Sequence, residues 1–127
     1  LLAAKWIATS EGTNSTSYVA LTTTEDVSVT VSATTTVLIE YLAKTLIPSD
    51  ILGETAYNQI YVDGVAETSS AVDFAAAPGT AATPLTHCVM TKSLAAGTYT
   101  ISMKHKVTSG SGTTNWAFRV IKVTAVP

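Results

Sequence analysis

The sequence predicts an all-β fold, a sandwich or barrel, in a single domain spanning residues 1–127. Residues 26–32 and 98–107 alternate strictly between apolar and polar side chains, as strands with one buried face do. Shorter segments of strand character recur between turns marked by Gly, Pro and Ser, with no long helical pattern between them. Threonine, which is β-branched and favours strands, occurs 23 times.

The longest alternating segment, residues 98–107, predicts the direction of each side chain. Its inward face is expected to hold Tyr99, Ile101, Met103, His105 and Val107. Residues 37–42 and 116–123 are instead apolar on both faces. Such strands are central in a sheet, or have one face at a subunit interface. Weaker strands are predicted at residues 5–9, 17–22, 57–63 and 86–91.

Turns and loops are predicted from Gly, Pro and Ser. The pair Asp63-Gly64 follows a strand and predicts a tight hairpin turn. Residues 109–112, Ser-Gly-Ser-Gly, predict a mobile loop before the last strand. Residues 44–54 leave room for one short helical turn starting at Ser49 or Asp50, and residues 66–83 predict a long surface loop.

The composition argues against several classes of protein. Apolar residues make up 46% of the chain and charged residues 13%, the reverse of a disordered chain. The net charge of −2 and the scattered basic residues argue against a nucleic-acid partner. No stretch approaches the roughly 18 apolar residues of a membrane span, so no membrane partner is expected. The single cysteine, Cys88, excludes an internal disulfide.

The order of segments contains one specific pattern. Residues 94–100 read Leu-Ala-Ala-Gly-Thr-Tyr-Thr, and a Gly/Ser loop then leads into an aromatic-rich terminal strand. This arrangement resembles the jelly rolls of the tumour-necrosis-factor and complement globular-head superfamily, especially its phage and bacterial members. The resemblance implies an antiparallel jelly-roll β-sandwich of about 8–10 strands. It also implies a compact homotrimer, with aromatic and aliphatic residues of one sheet packed around the threefold axis.

Candidate interface residues follow from this expectation. They are Tyr99, Met103, His105, Trp116, Phe118 and Phe74. Phe74 lies in the predicted Ala-rich loop, where no core is expected, so it is expected to insert into the domain body or into a neighbouring subunit. Phe118 and Trp116 belong to the terminal strand that is apolar on both faces.

No constellation of residues indicates catalysis, a metal or a cofactor, and the chain is not expected to be an enzyme. His87 and Cys88 are neighbours on a strand and point to opposite faces, so they do not form a nucleophile–base pair. Cys88 is expected to be a buried structural cysteine, as free cysteines usually are. Two histidines without a cysteine pair give no zinc motif. His105 is left either as a structural histidine, in the interior or at an interface edge, or as one ligand per subunit on a threefold axis.

These expectations favour a non-enzymatic structural protein of a virion: a capsid decoration protein, or the head of a fibre or spike. Its partners would be its own copies, a major capsid or tail protein, and a host-surface glycan or receptor. The location would be the virion surface or the extracellular space. One alternative is a secreted module that binds carbohydrate, using Tyr57, Asn58, Gln59 and Tyr61. Another is a filament subunit that donates residues 1–7 to its neighbour as a strand.

Overall fold

The computed structural model describes residues 1–48, 54–68, 83–108 and 112–127, together with the backbone of residues 72–75. In these residues the chain forms ten strands: β1 (Ala3–Ile7), β2 (Glu11–Thr13), β3 (Val27–Val31), β4 (Thr35–Leu46), β5 (Thr55–Val62), β6 (Val65–Ala66), β7 (Val72–Ala75), β8 (Leu85–Leu94), β9 (Gly97–Val107) and β10 (Thr114–Ala125). The described residues contain no helix with the length and hydropathy needed to span a membrane.

The strands form two antiparallel sheets that pack face to face, which confirms the predicted β-sandwich. Sheet I has the order β1-β10-β4-β8, and β2 pairs with the part of β10 that precedes the β1 pairing. Sheet II has the order β3-β9-β5-β6, and β7 also pairs with β5. The core between the sheets includes Val29, Ile39, Ile60, Ile101, Met103, Ile121 and Val123, each no more than 1% exposed.

The alternating segments behave as predicted. All three valines of β3 are buried and the residues between them are exposed. Along β9, the predicted inward side chains from Ile101 to Val107 are buried and Tyr99 is half-buried. Each strand therefore presents one apolar face to the opposite sheet, because successive side chains of a strand point to opposite sides.

The strands that are apolar on both faces, β4 and β10, are central in sheet I, as predicted. One face of each lies in the core, where Tyr41 and Ile121 are almost fully buried. The other face is the outside of the sandwich, where Leu42 stays 39% exposed. The apolar pattern on both faces thus reflects one buried face and one partly open face.

Two predictions about irregular segments were wrong. Residues 17–22 form no strand: Val19 makes a one-residue bridge to His105, with N–O distances of 2.9 Å in both directions. This bridge occupies the edge of β9 beyond its pairing with β3, which ends at Ile101. Within the predicted loop of residues 66–83, residues 72–75 form β7, because they pair with the edge of β5.

Other predictions concern the turns. Asp63 and Gly64 have φ angles of 48° and 76°, the two positive values that a type I′ hairpin turn requires, so this prediction is confirmed. The helical turn at Ser49 or Asp50 lies outside the described residues, as does most of the Ser-Gly-Ser-Gly loop. The strand β2 was not predicted.

Candidate functional site: a buried polar cluster beneath an exposed apolar face

A β-bulge in β10 decides which side chains of this strand face inward. The pairing with β4 moves from Ala117–Lys44 to Val120–Leu42, so β10 carries one extra residue there. Phe118 lies in the bulge with a φ of 50°, a left-handed conformation that is unusual for a bulky residue. Simple alternation from buried Trp116 would turn Phe118 inward and Arg119 outward. The bulge reverses this: Arg119 is 0% exposed and Phe118 is 54% exposed.

The Arg119 guanidinium is the centre of a buried polar cluster. Its Nη1 donates to Glu25 Oε1 at 2.6 Å and to the Thr23 carbonyl at 3.0 Å. Its Nη2 donates to Glu11 Oε2 at 2.8 Å. Glu25 is 1% exposed, and burial raises the pKa of its carboxyl, although the charge of Arg119 opposes that shift.

His105, on β9 of sheet II, extends the same cluster to Tyr41. Its Nε2 lies 2.9 Å from the Tyr41 hydroxyl and 3.7 Å from Glu25 Oε1. Its ring centroid is 4.7 Å from that of Trp116. Burial, followed by the nearby Arg119 charge, lowers the pKa of His105 from 6.5 to about 3. At neutral pH His105 is therefore an uncharged imidazole, which suits a site without solvent.

The cluster contains the residue types of acid–base chemistry, but its central side chains have almost no contact with solvent. Glu25, Tyr41, His105 and Arg119 are each no more than 1% exposed. Buried charges of this kind are paired because an unpaired charge in the core would be costly. The arrangement is therefore suited to joining the two sheets. Arg119 and Tyr41 come from sheet I. His105 comes from sheet II, and Glu25 lies two residues before β3 of that sheet.

Metal binding at His105 through a threefold axis does not fit this geometry. The side chain is 0% exposed inside its own sandwich, so three copies cannot meet around one ion. In the described part of the chain, no group of three or more His, Cys, Asp or Glu side chains could hold a metal ion. Of the two alternatives for His105, the structure places it in the interior.

The outer face of sheet I carries an exposed row of large side chains. The strand registers align Trp6 with Val120, Val120 with Leu42, and Leu42 with His87. Trp6 is 67% exposed and Leu42 is 39% exposed. We refer to the apolar side chains of this side as the apolar face: the exposed Trp6, Leu42, Leu85, Val89 and Phe118, and the half-buried Val120 between them.

Charged groups of both signs lie within the apolar face. Glu40 Oε2 is 3.5 Å from Lys122 Nζ, and Glu40 Oε1 is 4.0 Å from His87 Nε2. These three side chains, with Leu42, Leu85 and Val120, line an open depression with a volume of about 380 Å³. The surface is thus apolar with a small charged centre, a combination typical of protein–protein interfaces.

The structure separates the predicted interface residues into three groups. Met103, His105 and Trp116 are at most 1% exposed, so they belong to the core and have no surface left for a partner. Phe118 lies on the apolar face, and Tyr99 is half-buried with its hydroxyl donating to the Ala95 carbonyl at 3.1 Å. The side chain of Phe74 lies outside the described residues. For Phe118 and Tyr99, an interface role stays a prediction.

Sequence reasoning missed Trp6 and Leu42 as surface candidates. The apolar pattern on both faces of β4 and β10 indicated a second apolar surface, but the bulge and the strand registers decide which residues form it. The paired prediction for His87 and Cys88 is confirmed: His87 is exposed and Cys88 is 0% exposed. The segment proposed for strand donation contains β1, which pairs here with β10 of its own chain.

Comparison of the sequence with models of known protein families finds no match, and comparison with curated proteins finds none either. The functional argument therefore depends on the geometry of the chain itself.

Proposed function

We propose that this chain is a non-enzymatic structural module that assembles into a homotrimer through the apolar face and is displayed on the surface of a virion. A capsid decoration protein and the head of a fibre or spike both fit this description. The observation that carries the proposal is the apolar row on the outside of sheet I, in which the half-buried Val120 lies between the exposed Trp6 and Leu42. Contiguous apolar surface of this kind marks interaction sites in soluble proteins.

The size of the apolar face supports self-association. Sheet I has four strands in its main order, and its central strands are twelve residues long. Strand spacing and rise then give the whole outer side of sheet I, which includes the apolar face and the charged side chains beside it, an area of about 700 Å², close to the roughly 800 Å² that each partner contributes to a stable interface. A copy of this chain suits the face because Glu40 and Lys122 provide opposite charges on one surface.

The sheet orders support a jelly roll as the underlying fold. Going along the chain, β3, β5 and β9 lie in sheet II, whereas β4, β8 and β10 lie in sheet I. The main strands thus alternate between the sheets, as they do when Greek keys build a jelly-roll sandwich. The trimer number follows from the resemblance to the tumour-necrosis-factor and complement globular-head superfamily, in which one sheet packs around the threefold axis.

The opposite surface supports a particle-surface location. On sheet II, Thr30, Thr98 and Thr100 are exposed, and the first two share a hydrogen bond of 2.9 Å between their hydroxyls. The chain as a whole is rich in threonine and poor in charge. Such surfaces are common on virion and extracellular β-proteins. The genomic neighbourhood tests this part: adjacent capsid or tail genes would support it, and a metabolic operon would contradict it.

Solution mass tests the assembly. We expect light scattering after size exclusion to give three times the chain mass of 13.2 kDa over a wide range of concentrations. Leu42→Glu should convert the trimer to a monomer because it places three buried carboxylates in the interface. Val65→Glu is the matched control, since Val65 is 65% exposed on β6, away from the apolar face.

The two variants give distinct outcomes. A monomeric wild-type protein would overturn the proposal, as would a Leu42→Glu variant that keeps the wild-type mass. A dimer of the wild type would preserve the apolar face as an interface and contradict the trimer. Circular dichroism of each variant shows whether the sandwich is intact, because Leu42 and Val65 are both on the surface.

A further inference from the structure

Phe118 occupies a position that its own chain does not explain. Its φ of 50° lies in the left-handed region, where a bulky side chain is strained. The residue is also 54% exposed, so much of its apolar surface contacts water. The bulge turns Arg119 inward, but an asparagine or glycine before Arg119 would allow the same bulge with less strain and less exposed apolar surface.

One other described residue besides glycine has a positive φ, and its surroundings explain it. Asp63, with a φ of 48°, lies in the type I′ turn, at a position that favours aspartate. Phe118 has no comparable local reason. Strained residues are concentrated at functional sites, and exposed apolar side chains that belong to a larger patch mark interaction sites. Phe118 therefore indicates a contact outside its own subunit.

The open depression on the same side of sheet I is large and apolar enough to receive a ring. Its apolar walls are Leu42, Leu85 and Val120. Leu85 lies on the rim and is 70% exposed, so it too has surface left for a partner. The volume of about 380 Å³ is well above the roughly 150 Å³ of an engineered apolar cavity that binds benzene.

The polar side chains of the depression favour an aromatic ring over an aliphatic side chain. The side chain of Lys122 is 50% exposed and its ammonium lies 3.5 Å from Glu40 Oε2, so this cation can also contact the face of an inserted ring. The imidazole of His87 has a side-chain exposure of 55% and offers a second ring for an edge or offset contact. An aliphatic side chain would make neither contact.

The chain itself offers two exposed rings. Of the Trp, Tyr and Phe side chains that the structure describes, Trp6 and Phe118 are exposed. Trp6 lies in the regular strand β1, directly beside Val120 of its own chain, so it borders the depression of its own subunit. Phe118 differs because it carries backbone strain that a contact with a partner would offset. The two observations together favour Phe118 as the inserted ring.

The sheet order suits a contact between two different parts of one face. Phe118 lies in the bulge of β10, whereas the depression is centred on β4, between β10 and the edge strand β8. A cyclic trimer is built from heterologous contacts, in which one patch of each copy meets a different patch of the next copy. The ring and the depression provide two such patches.

We propose that Phe118 of each copy inserts into the depression of a neighbouring copy. The inference rests on the proposed trimer and names the contact that forms it. Each copy gives its ring to one neighbour and receives a ring from the other. The insertion buries both Phe118 and the rim residue Leu85, so Phe118 is the aromatic anchor of the interface and dominates its affinity.

Photo-crosslinking of the full chain tests the contact directly. Phe118 is replaced by the photoreactive analogue p-benzoylphenylalanine, and this protein is mixed with isotope-labelled wild type so that mass spectrometry identifies links between copies. We expect links from position 118 to the segments of β4 and β8 that contain Leu42 and Leu85. Links between two positions 118, or from 118 to sheet II, would overturn the inference and leave the trimer standing. A monomeric wild type would instead contradict the proposed function itself.

Ordinary variants give an independent test by light scattering at a series of protein concentrations. Phe118→Asn suits the left-handed φ and should raise the concentration at which half of the trimer dissociates by at least about tenfold. Leu85→Ser should also raise it, and the double variant should show less than the sum of the two effects because both remove one contact. Phe118→Leu, which keeps an apolar side chain without the ring, should lie between wild type and Phe118→Asn.

The matched control is Val65→Ser, which removes an exposed apolar side chain from β6 and should assemble like the wild type. Independent, fully additive effects of Phe118→Asn and Leu85→Ser would overturn the inference. So would a Trp6→Ala variant that dissociates while Phe118→Asn keeps the wild-type mass. All the substituted side chains are exposed, and circular dichroism verifies that each variant is folded.

Discussion

Replacing Arg119 with Met removes the centre of the buried polar cluster and should destabilise the fold strongly. Arg119 is 0% exposed, and its Nη1 lies 2.6 Å from the oxygen of a carboxylate that is 1% exposed, that of Glu25. Breaking a buried ion pair by removing one partner typically costs about 3–5 kcal/mol, because the other charge stays buried without compensation. That is a large fraction of the roughly 6–19 kcal/mol expected for a chain of this length.

The assay is urea unfolding at pH 7, followed by tryptophan fluorescence, on Arg119→Met, on Glu25→Gln and on the double variant. Arg119→Met should cost about 3–5 kcal/mol. Glu25→Gln/Arg119→Met should cost less than Arg119→Met alone, since the stranded carboxylate is gone. Lys122→Met is the matched control: it lies on the same strand, and its pair with Glu40 is half-exposed, so its loss should cost less than about 1 kcal/mol.

Two results would refute this reasoning. One is an Arg119→Met variant that unfolds at the wild-type urea concentration. The other is a double variant whose cost equals the sum of the two single costs, since contacting residues should show coupling. Measurements at several protein concentrations separate the fold from assembly, because Lys122 lies on the apolar face.

Three further predictions follow from the same features. Folding lowers the pKa of His105 from 6.5 to about 3, so the unfolded chain binds the proton first as pH falls. The contribution of His105 to the free energy of unfolding is therefore fully present above pH 6.5, and it declines towards pH 3 by up to about 1.4 kcal/mol per pH unit. The raised pKa of Glu25 has the opposite effect on the free energy of unfolding, so the acid titration is performed on the Glu25→Gln variant. A free energy of unfolding that does not change with pH in that variant would contradict the role of His105. Phe118→Asn suits a φ of 50° and should keep monomer stability within about 1 kcal/mol while weakening assembly; unchanged mass on light scattering would argue against Phe118 at the interface. Gly12→Ala would press a methyl group onto the Thr114 carbonyl and the Asn115 side chain and should cost about 1–3 kcal/mol, which a wild-type melting temperature would disprove.

Much of the fold was predictable because one face of most strands is buried. A period of two in residues 27–31 and 101–107 fixes which side chains enter the core, and the structure confirms these residues as inward. The hairpin at Asp63-Gly64 was predictable because few residue pairs tolerate two positive φ angles. These features depend on residues that are neighbours in the sequence, so the sequence alone is enough to predict them.

The surface candidates were less predictable because the bulge in β10 breaks the period. From the sequence, Trp116 and Phe118 belong to the same face, and the extra residue of the bulge separates them. Met103 and His105 were correctly placed on the inward face of β9 but also named as interface candidates. They face the opposite sheet of the same chain, so their burial is already complete in one subunit.

The sequence by itself determined the class of fold, the inward faces of β3 and β9 and the opposite directions of His87 and Cys88, because each depends on local alternation. Only the tertiary structure brought Glu25, His105 and Arg119 together, since they are distant in the chain and meet across two sheets. The same is true of the apolar face. It depends on which strands lie side by side, and strand pairing is set by packing of the whole sandwich.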